Sequence, residues 1–162
     1  MDFAEHAARS RGFDGFSYGD MAEAIGIRKA SIHHHFPTKA NLSEALIERY
    51  QTNLQHRLAE IEATHATAGA RLKALIALYR AALDDGRTVC LCVAFSTSRE
   101  SLSEVVIAKV SAVRAMILQW ITATFELGQR DGSISAILDP AYEAPATLAM
   151  LEGAHLAART EE

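Results

Sequence analysis

Cysteine and proline are scarce in this 162-residue chain, with two and three copies, and tryptophan occurs once. The two thiols, Cys90 and Cys92, are one residue apart. That number and spacing exclude a disulfide framework, and without a CxxC or HExxH pattern no zinc site is expected. The prolines, at Pro37, Pro140 and Pro145, leave long stretches uninterrupted. No unbroken run of about 18 apolar residues is present, so no membrane span is expected. The opening residues Met1-Asp2-Phe3-Ala4-Glu5-His6 lack the basic and apolar regions of a signal peptide, which leads to the expectation of a cytoplasmic protein. P-loops, Ser-His-Asp arrangements and paired-carboxylate motifs are also missing. Enzymatic activity, a cofactor and a metal are therefore not expected.

The chain is 49% apolar and 22% charged, as ordinary soluble proteins are. Its length suits one large or two small helical domains. Apolar residues recur at helical spacing and no strand-like alternation is found, so the fold is read as all-α. A first helix over residues 1–11 stops at Gly12. Ser17 caps a second helix over 18–24, with Asp20 at capping-box spacing, and Gly26 ends it. A third short helix over 28–35 is blocked by Pro37. Thr38 caps a long helix over 39–63 whose Leu42, Leu46, Ile47, Tyr50, Leu54, Leu58 and Ile61 form one stripe. Beyond a small-residue break, Leu72, Leu75, Ile76, Tyr79 and Leu83 share a face of another helix, which ends at Asp84-Asp85-Gly86. The apolar stretch 89–95 reads as a buried helix start. Ser101 or Ser103 begins the next helix, residues 128–135 read as a polar turn, and Pro140 opens a last helix over 141–158.

The net charge of −4 argues mildly against nucleic acid as a partner. Its distribution argues the other way. From Ile27 to Lys39 there are three cations (Arg28, Lys29, Lys39), three histidines and no acid. Two short helices joined by a tight glycine turn at Gly26 are the layout of a helix-turn-helix. Met21, Ile25, Ile27, Ile32 and Phe36 are expected to wedge the pair together, with Ala22 allowing a close crossing. Arg28, Lys29, Ala30, Ser31, His33 and His34 then face outward. Lys29 can donate to guanine O6 or N7, Ala30 can touch a thymine methyl, and Ser31 and the histidines can donate to phosphates. Lys39, at the start of the next helix, is expected to support phosphate binding, and Ser17 and Tyr18 complete the DNA-binding set. The run His33-His34-His35 does not make a metal site, because successive helical residues turn by about 100° and point to different faces.

This run resembles the N-terminal domain of the TetR family of transcriptional regulators. The resemblance rests on Gly12-Phe13, Ser17, Met21-Ala22, Gly26-Ile27 and the stretch from Ser31 to Lys39, and is dense over roughly the first 50 residues. It implies a three-helix DNA-binding domain over residues 1–45 and a ligand-sensing, dimerising helical bundle over 46–162. It implies a homodimer on a double-stranded operator, acting as a repressor that an unknown small-molecule inducer releases. A helical interaction protein without DNA binding is the alternative. Three features depart from the family pattern. His33 stands where a phosphate-contacting tyrosine is usual, Arg28 stands where a serine cap is usual, and the basic arm that often precedes helix one is not expected here. The final helix, rich in Ala and Leu, carries small residues that suit a dimer face, and a further helix of the dimer bundle is not expected within the chain.

For the second domain, the resemblance implies a pocket, with Leu75, Tyr79, Cys90, Phe95, Met116, Trp120 and Phe125 as its expected lining. A Cys-Leu pair at residues 90 and 91 is similar to a TetR subgroup that responds to electrophiles and oxidants, which makes Cys90 a candidate sensor. Arg87 and a helix start are expected to lower its pKa. The alternative for both thiols is buried apolar filler.

Overall fold

The computed structural model describes residues 1–135 and 137–160. Among them are eight α-helices, two short 3₁₀ turns and no strand. The first unit is α1 (Asp2–Arg11), α2 (Tyr18–Ile25) and α3 (Lys29–His35), followed by the long α4 (Lys39–Thr64). The rest comprises α5 (Ala68–Ala81), α6 (Leu91–Thr97), α7 (Glu104–Asp131) and α8 (Pro140–Ala158).

Local chemistry sets most of these boundaries. Ser17 and Asp20 form a reciprocal capping box at the start of α2, and Thr38 and Asn41 form another at the start of α4. Gly26 adopts φ 73°, and its N–H reaches back to the carbonyls of Ala22 and Glu23. That left-handed conformation is easy only for glycine. The turn after α5 runs through three successive positive-φ residues, Asp84, Asp85 and Gly86. Ser103 caps α7, and Pro140 occupies the first turn of α8 behind the Asp139 cap.

The expected α4 stripe is buried at Leu42, Leu46, Ile47, Leu54, Leu58 and Ile61, with Tyr50 half-buried. α6 is sheathed on every side, from Leu91 to Phe95. α7 runs through the centre and packs on α4, α5, α6 and α8. It is the one described helix long and apolar enough to cross a membrane. Its apolar side, including Val106, Val113, Ile117, Ile121 and Phe125, is spent on packing inside the bundle.

Four expectations need correction. Ile76 is exposed rather than part of the α5 core face, because Leu75 and Tyr79 carry the buried contact. Leu83 lies beyond the end of α5. Ile25 and Ile27 do not wedge α2 against α3; they flank the Gly26 turn and stay exposed, leaving Met21 and Ile32 to fill the interior. Gly128 belongs to α7, not to a turn, and the helix stops only at Gly132. Ile134 folds back onto Gly128 so closely that an added Cβ would lie 3.0 Å from its carbons.

The first unit, α1 to α3, is stitched to the rest of the bundle rather than tethered by a linker. The buried core is continuous across residues 45 and 46, a boundary that lies inside α4. Phe13 meets Phe95 of α6 edge-on at 5.8 Å between ring centroids. The Arg9 guanidinium donates to the carbonyls of Val89 and Ala82, while Val89 N–H returns to the Arg9 carbonyl. Arg159, past α8, donates to the carbonyls of Ser10 and Arg87.

His155 joins three helices at a second point. It is 1% exposed. Its Nδ1 accepts from Cys90 N–H at 2.9 Å, at the start of α6, and its Nε2 donates to the Tyr79 carbonyl of α5 at 3.0 Å. The bond at Nδ1 requires the neutral ring, since a protonated Nδ1 accepts nothing. Burial, with Arg9 nearby, lowers its pKa below the ordinary histidine value. Between the folded and unfolded pKa values the unfolded chain binds more protons. Stability is therefore fully present above about pH 6.5 and falls as pH drops through that window. His155→Gln keeps one acceptor and one donor without a titrating ring. Urea midpoints taken at pH values on either side of 6.5 should fall less for this variant than for the parent. Equal slopes would remove His155 as the cause.

Candidate nucleic-acid interface

α3 is seven residues long and buries only Ile32. Arg28, Lys29, Ala30, Ser31, His33, His34 and His35 are all exposed. One apolar anchor on so short a helix leaves the rest of its circumference to solvent. Six of the expected DNA-binding residues, Arg28, Lys29, Ala30, Ser31, His33 and His34, are thus exposed around this helix and its start. The ion pairs among the described residues lie elsewhere, so Arg28 and Lys29 keep their charges uncommitted. Arg28 takes the N-cap position with extended backbone and makes no side-chain cap bond. The helix start keeps free N–H groups as a result. The His33 ring sits edge-on to Tyr18, with centroids 4.7 Å apart.

Three expected contacts are placed differently. Tyr18 is 7% exposed, and its hydroxyl lies 2.9 and 2.7 Å from the carbonyls of Phe36 and Thr38. It braces the α3–α4 corner from within, and burial raises its pKa. The Ser17 hydroxyl is engaged with the Asp20 carboxylate at 2.9 Å. The Lys39 ammonium turns inward, 2.5 Å from the Phe13 carbonyl and 2.6 Å from that of Phe16. It also lies over both rings, 4.5 and 4.4 Å from their centroids. Burial lowers the Lys39 pKa, with Asp14 and Asp20 opposing that shift, and the carbonyls and π-faces partner the cation where water is excluded. Sequence spacing carried no sign of this clamp, because its parts lie 23 and 26 residues apart.

Residues 1–46 match the family model described as bacterial regulatory proteins, tetR family. Along nearly its whole length the chain superimposes on a TetR-family transcriptional regulator from Agrobacterium tumefaciens, with 30% identity and a TM-score of 0.92. That match covers 99% of this chain and 85% of the other. The chain belongs to the TetR family of transcriptional regulators. A TetR regulator from Legionella pneumophila is similar at 25% identity and TM-score 0.85, over 98% of this chain and 83% of that one. The HTH-type transcriptional repressor KstR2 of Rhodococcus jostii is 29% identical over 84 residues, which is 52% of this chain but only 41% of that protein.

Behind the reading unit, this TetR-family member has a cavity of about 610 Å³ between α1, α4, α5 and the segment leading to α6. Of the expected pocket residues, Tyr79 and Cys90 line it. Leu75, Phe95 and Phe125 do not; they are closed core, at most 3% exposed. Met116 and Trp120 border a separate shallow hollow of about 290 Å³ between α4 and α7. Large apolar side chains mark the interior in general, so their size alone did not separate lining from filler. Arginines and carboxylates from α1 complete the wall, namely Asp2, Glu5, Arg9 and, from α4, Arg49 and Arg57.

The cysteine expectation is corrected in its direction. Cys90 is 3% exposed and its Sγ accepts from Val93 N–H as the cap of α6. Burial pushes its thiol up to about 11, despite that cap bond. Arg87, expected to lower it, is paired with Asp84 at 2.8 Å instead. Burial raises the Cys92 thiol further still. At neutral pH both remain thiols, which are poor nucleophiles.

Proposed function

We propose that the chain is a transcriptional repressor that grips operator DNA through α3 and is released by a small molecule. The observation that carries this reading is the exposed set on α3, Arg28, Lys29, Ala30, Ser31, His33 and His34, on a helix whose one buried residue is Ile32. Residues 1–45 would contact DNA, and residues 46–162 would sense the inducer and pair the subunits. α8 supports pairing. It buries Ala144, Leu148 and His155 against the body, while Tyr142, Ala146, Ala149, Met150, Gly153 and Leu156 form an exposed apolar stripe on its outer side. Such a stripe is what an isologous dimer covers. A dimer would set two α3 helices about 34–36 Å apart, one turn of DNA.

A mobility-shift titration against DNA from upstream of the chain's own gene tests the reading. The complex should form at nanomolar protein and weaken steeply with salt. A folded dimer that shifts no DNA at low salt would refute it. Lys29→Ala should weaken the operator complex by roughly 5- to 150-fold, with far less loss on random DNA. Equal losses on both would mean that Lys29 touches phosphate rather than a base.

A further inference from the structure

We infer that the 610 Å³ cavity between α1, α4 and α5 binds a small carboxylic acid with a cyclic apolar body, and that occupation unclasps α1 from α4. The second half rests on the regulator reading above; the binding itself does not.

The site is selective by what its polar groups have left to offer. Its carboxylates are already taken. Asp2 and Glu5 are each held by the Arg49 guanidinium at 2.6 Å, and Asp84 by Arg87 at 2.8 Å. The donors are not exhausted. Arg49 Nε has no hydrogen-bond partner but is closed off, so Arg49 offers donors to a ligand only as it leaves Asp2 and Glu5. Arg57 lies at the rim, 65% exposed, with only a 3.4 Å approach to Glu60. Tyr50 and Tyr79 line the cavity, and burial favours the protonated, donating form of their hydroxyls. A wall whose carboxylates are each in an ion pair, and whose arginine and tyrosine donors have capacity left, favours an acceptor-rich anion. An anion is admitted to a half-enclosed site only if it is paired there, and Arg49 and Arg57 supply the charge. Leu54, Leu78, Ala81, Ala82 and the two tyrosine rings give the wall an apolar part, beside the polar His6, Asn53 and Thr88. The volume is that of an ordinary small-molecule site.

The coupling follows from which guanidinium the ligand would share. Arg49 of α4 is clasped to Asp2 and Glu5 of α1, and α1 packs directly on α2 of the reading unit. A ligand carboxylate on Arg49 competes with those two side chains. It therefore binds better to a chain in which α1 has moved, and that difference is what an inducer needs.

Calorimetry on the full, DNA-free chain tests the site with 2-naphthoate, benzoate and cyclohexanecarboxylate as probes and 2-naphthamide as the neutral control. At least one acid should bind saturably, and 2-naphthamide at least about tenfold more weakly than 2-naphthoate. Arg57→Gln should remove that preference. Asn53→Trp, at an exposed position on the lining, should block binding while circular dichroism stays unchanged. The site is overturned if no acid binds, if acid and amide bind alike, or if Asn53→Trp leaves binding intact. Saturating acid should then weaken operator binding by at least about fivefold, and unchanged operator affinity would overturn the unclasping. A chain that binds the acids but never binds DNA would refute the regulator reading and leave the site standing.

Discussion

Replacing Phe95 by alanine is expected to lower the unfolding free energy by about 3–5 kcal/mol, the range for deleting a buried phenyl group. Phe95 is fully buried, on a helix with almost no solvent-facing residue in its first five positions. Its ring stands edge-on to Phe13 at an interplanar angle of 81°, so the deletion also removes an aromatic pair worth about 0.5–1.5 kcal/mol beyond area. A domain of this size has about 5–15 kcal/mol in total, so the variant would be near its limit. Phe13 belongs to the segment between α1 and α2. The cavity would therefore open on the seam between reading unit and body, and operator affinity should fall with stability even at temperatures where the chain stays folded. Urea unfolding, read beside operator titration, checks both. A loss below about 1 kcal/mol would mean that the site collapses freely, and that the seam does not depend on this ring.

Lys39→Met is the second large effect. The side chain is similar in length but carries no charge. The carbonyls of Phe13 and Phe16 would lose their donor, and both rings would lose the cation above them. Hydrogen bonds from a charged group contribute about 1.5–3 kcal/mol, and a cation over a ring about 0.5–2 kcal/mol. A combined loss of about 2–4 kcal/mol is expected, since the two contacts share one ammonium. Lys39→Arg should not restore it, because a planar fork does not fit a seat shaped for a compact ammonium. At a temperature where the variant remains folded, the salt dependence of operator binding should be unchanged. If Lys39→Met instead melted like the parent and bound all DNA more weakly, the lysine would be a phosphate contact and the clamp would fail.

Lys39 also shows where sequence reading stops. The caps at Ser17 and Thr38, the stop at Gly26 and the proline start of α8 were legible, because each acts within four residues of itself; for α7 the sequence left Ser101 and Ser103 both open, and Ser103 caps it. The outward face of α3 was legible for a related reason: on a helix so short, Ile32 is the one apolar residue that can be buried. Direction was not legible where distant chain decides it. Lys39 could point to a phosphate or to Phe13, and only the return of residues 13–16 beneath it selects the second. Cys90 could sit at a reactive helix start or in the core, and the packing of α8 behind it, through His155, selects the core. The cavity was the least visible. Its wall is made of charged residues from α1 and α4 that pair across more than forty positions, whereas the sequence search for a pocket followed large apolar residues.

The continuity of α4 has a mechanical consequence. Its 26 residues make a rod of about 39 Å at 1.5 Å per residue. One end carries the corner that holds α3, and the other lies within the bundle. A rigid rod magnifies rotation into displacement in proportion to its length. A tilt of about 5° at the far end moves the tip by about 3 Å, close to the 3.4 Å rise between neighbouring bases on one strand. On the proposed reading of α3 as the DNA-contacting helix, such a tilt would put its side chains one base out of step, with no change inside α1 to α3.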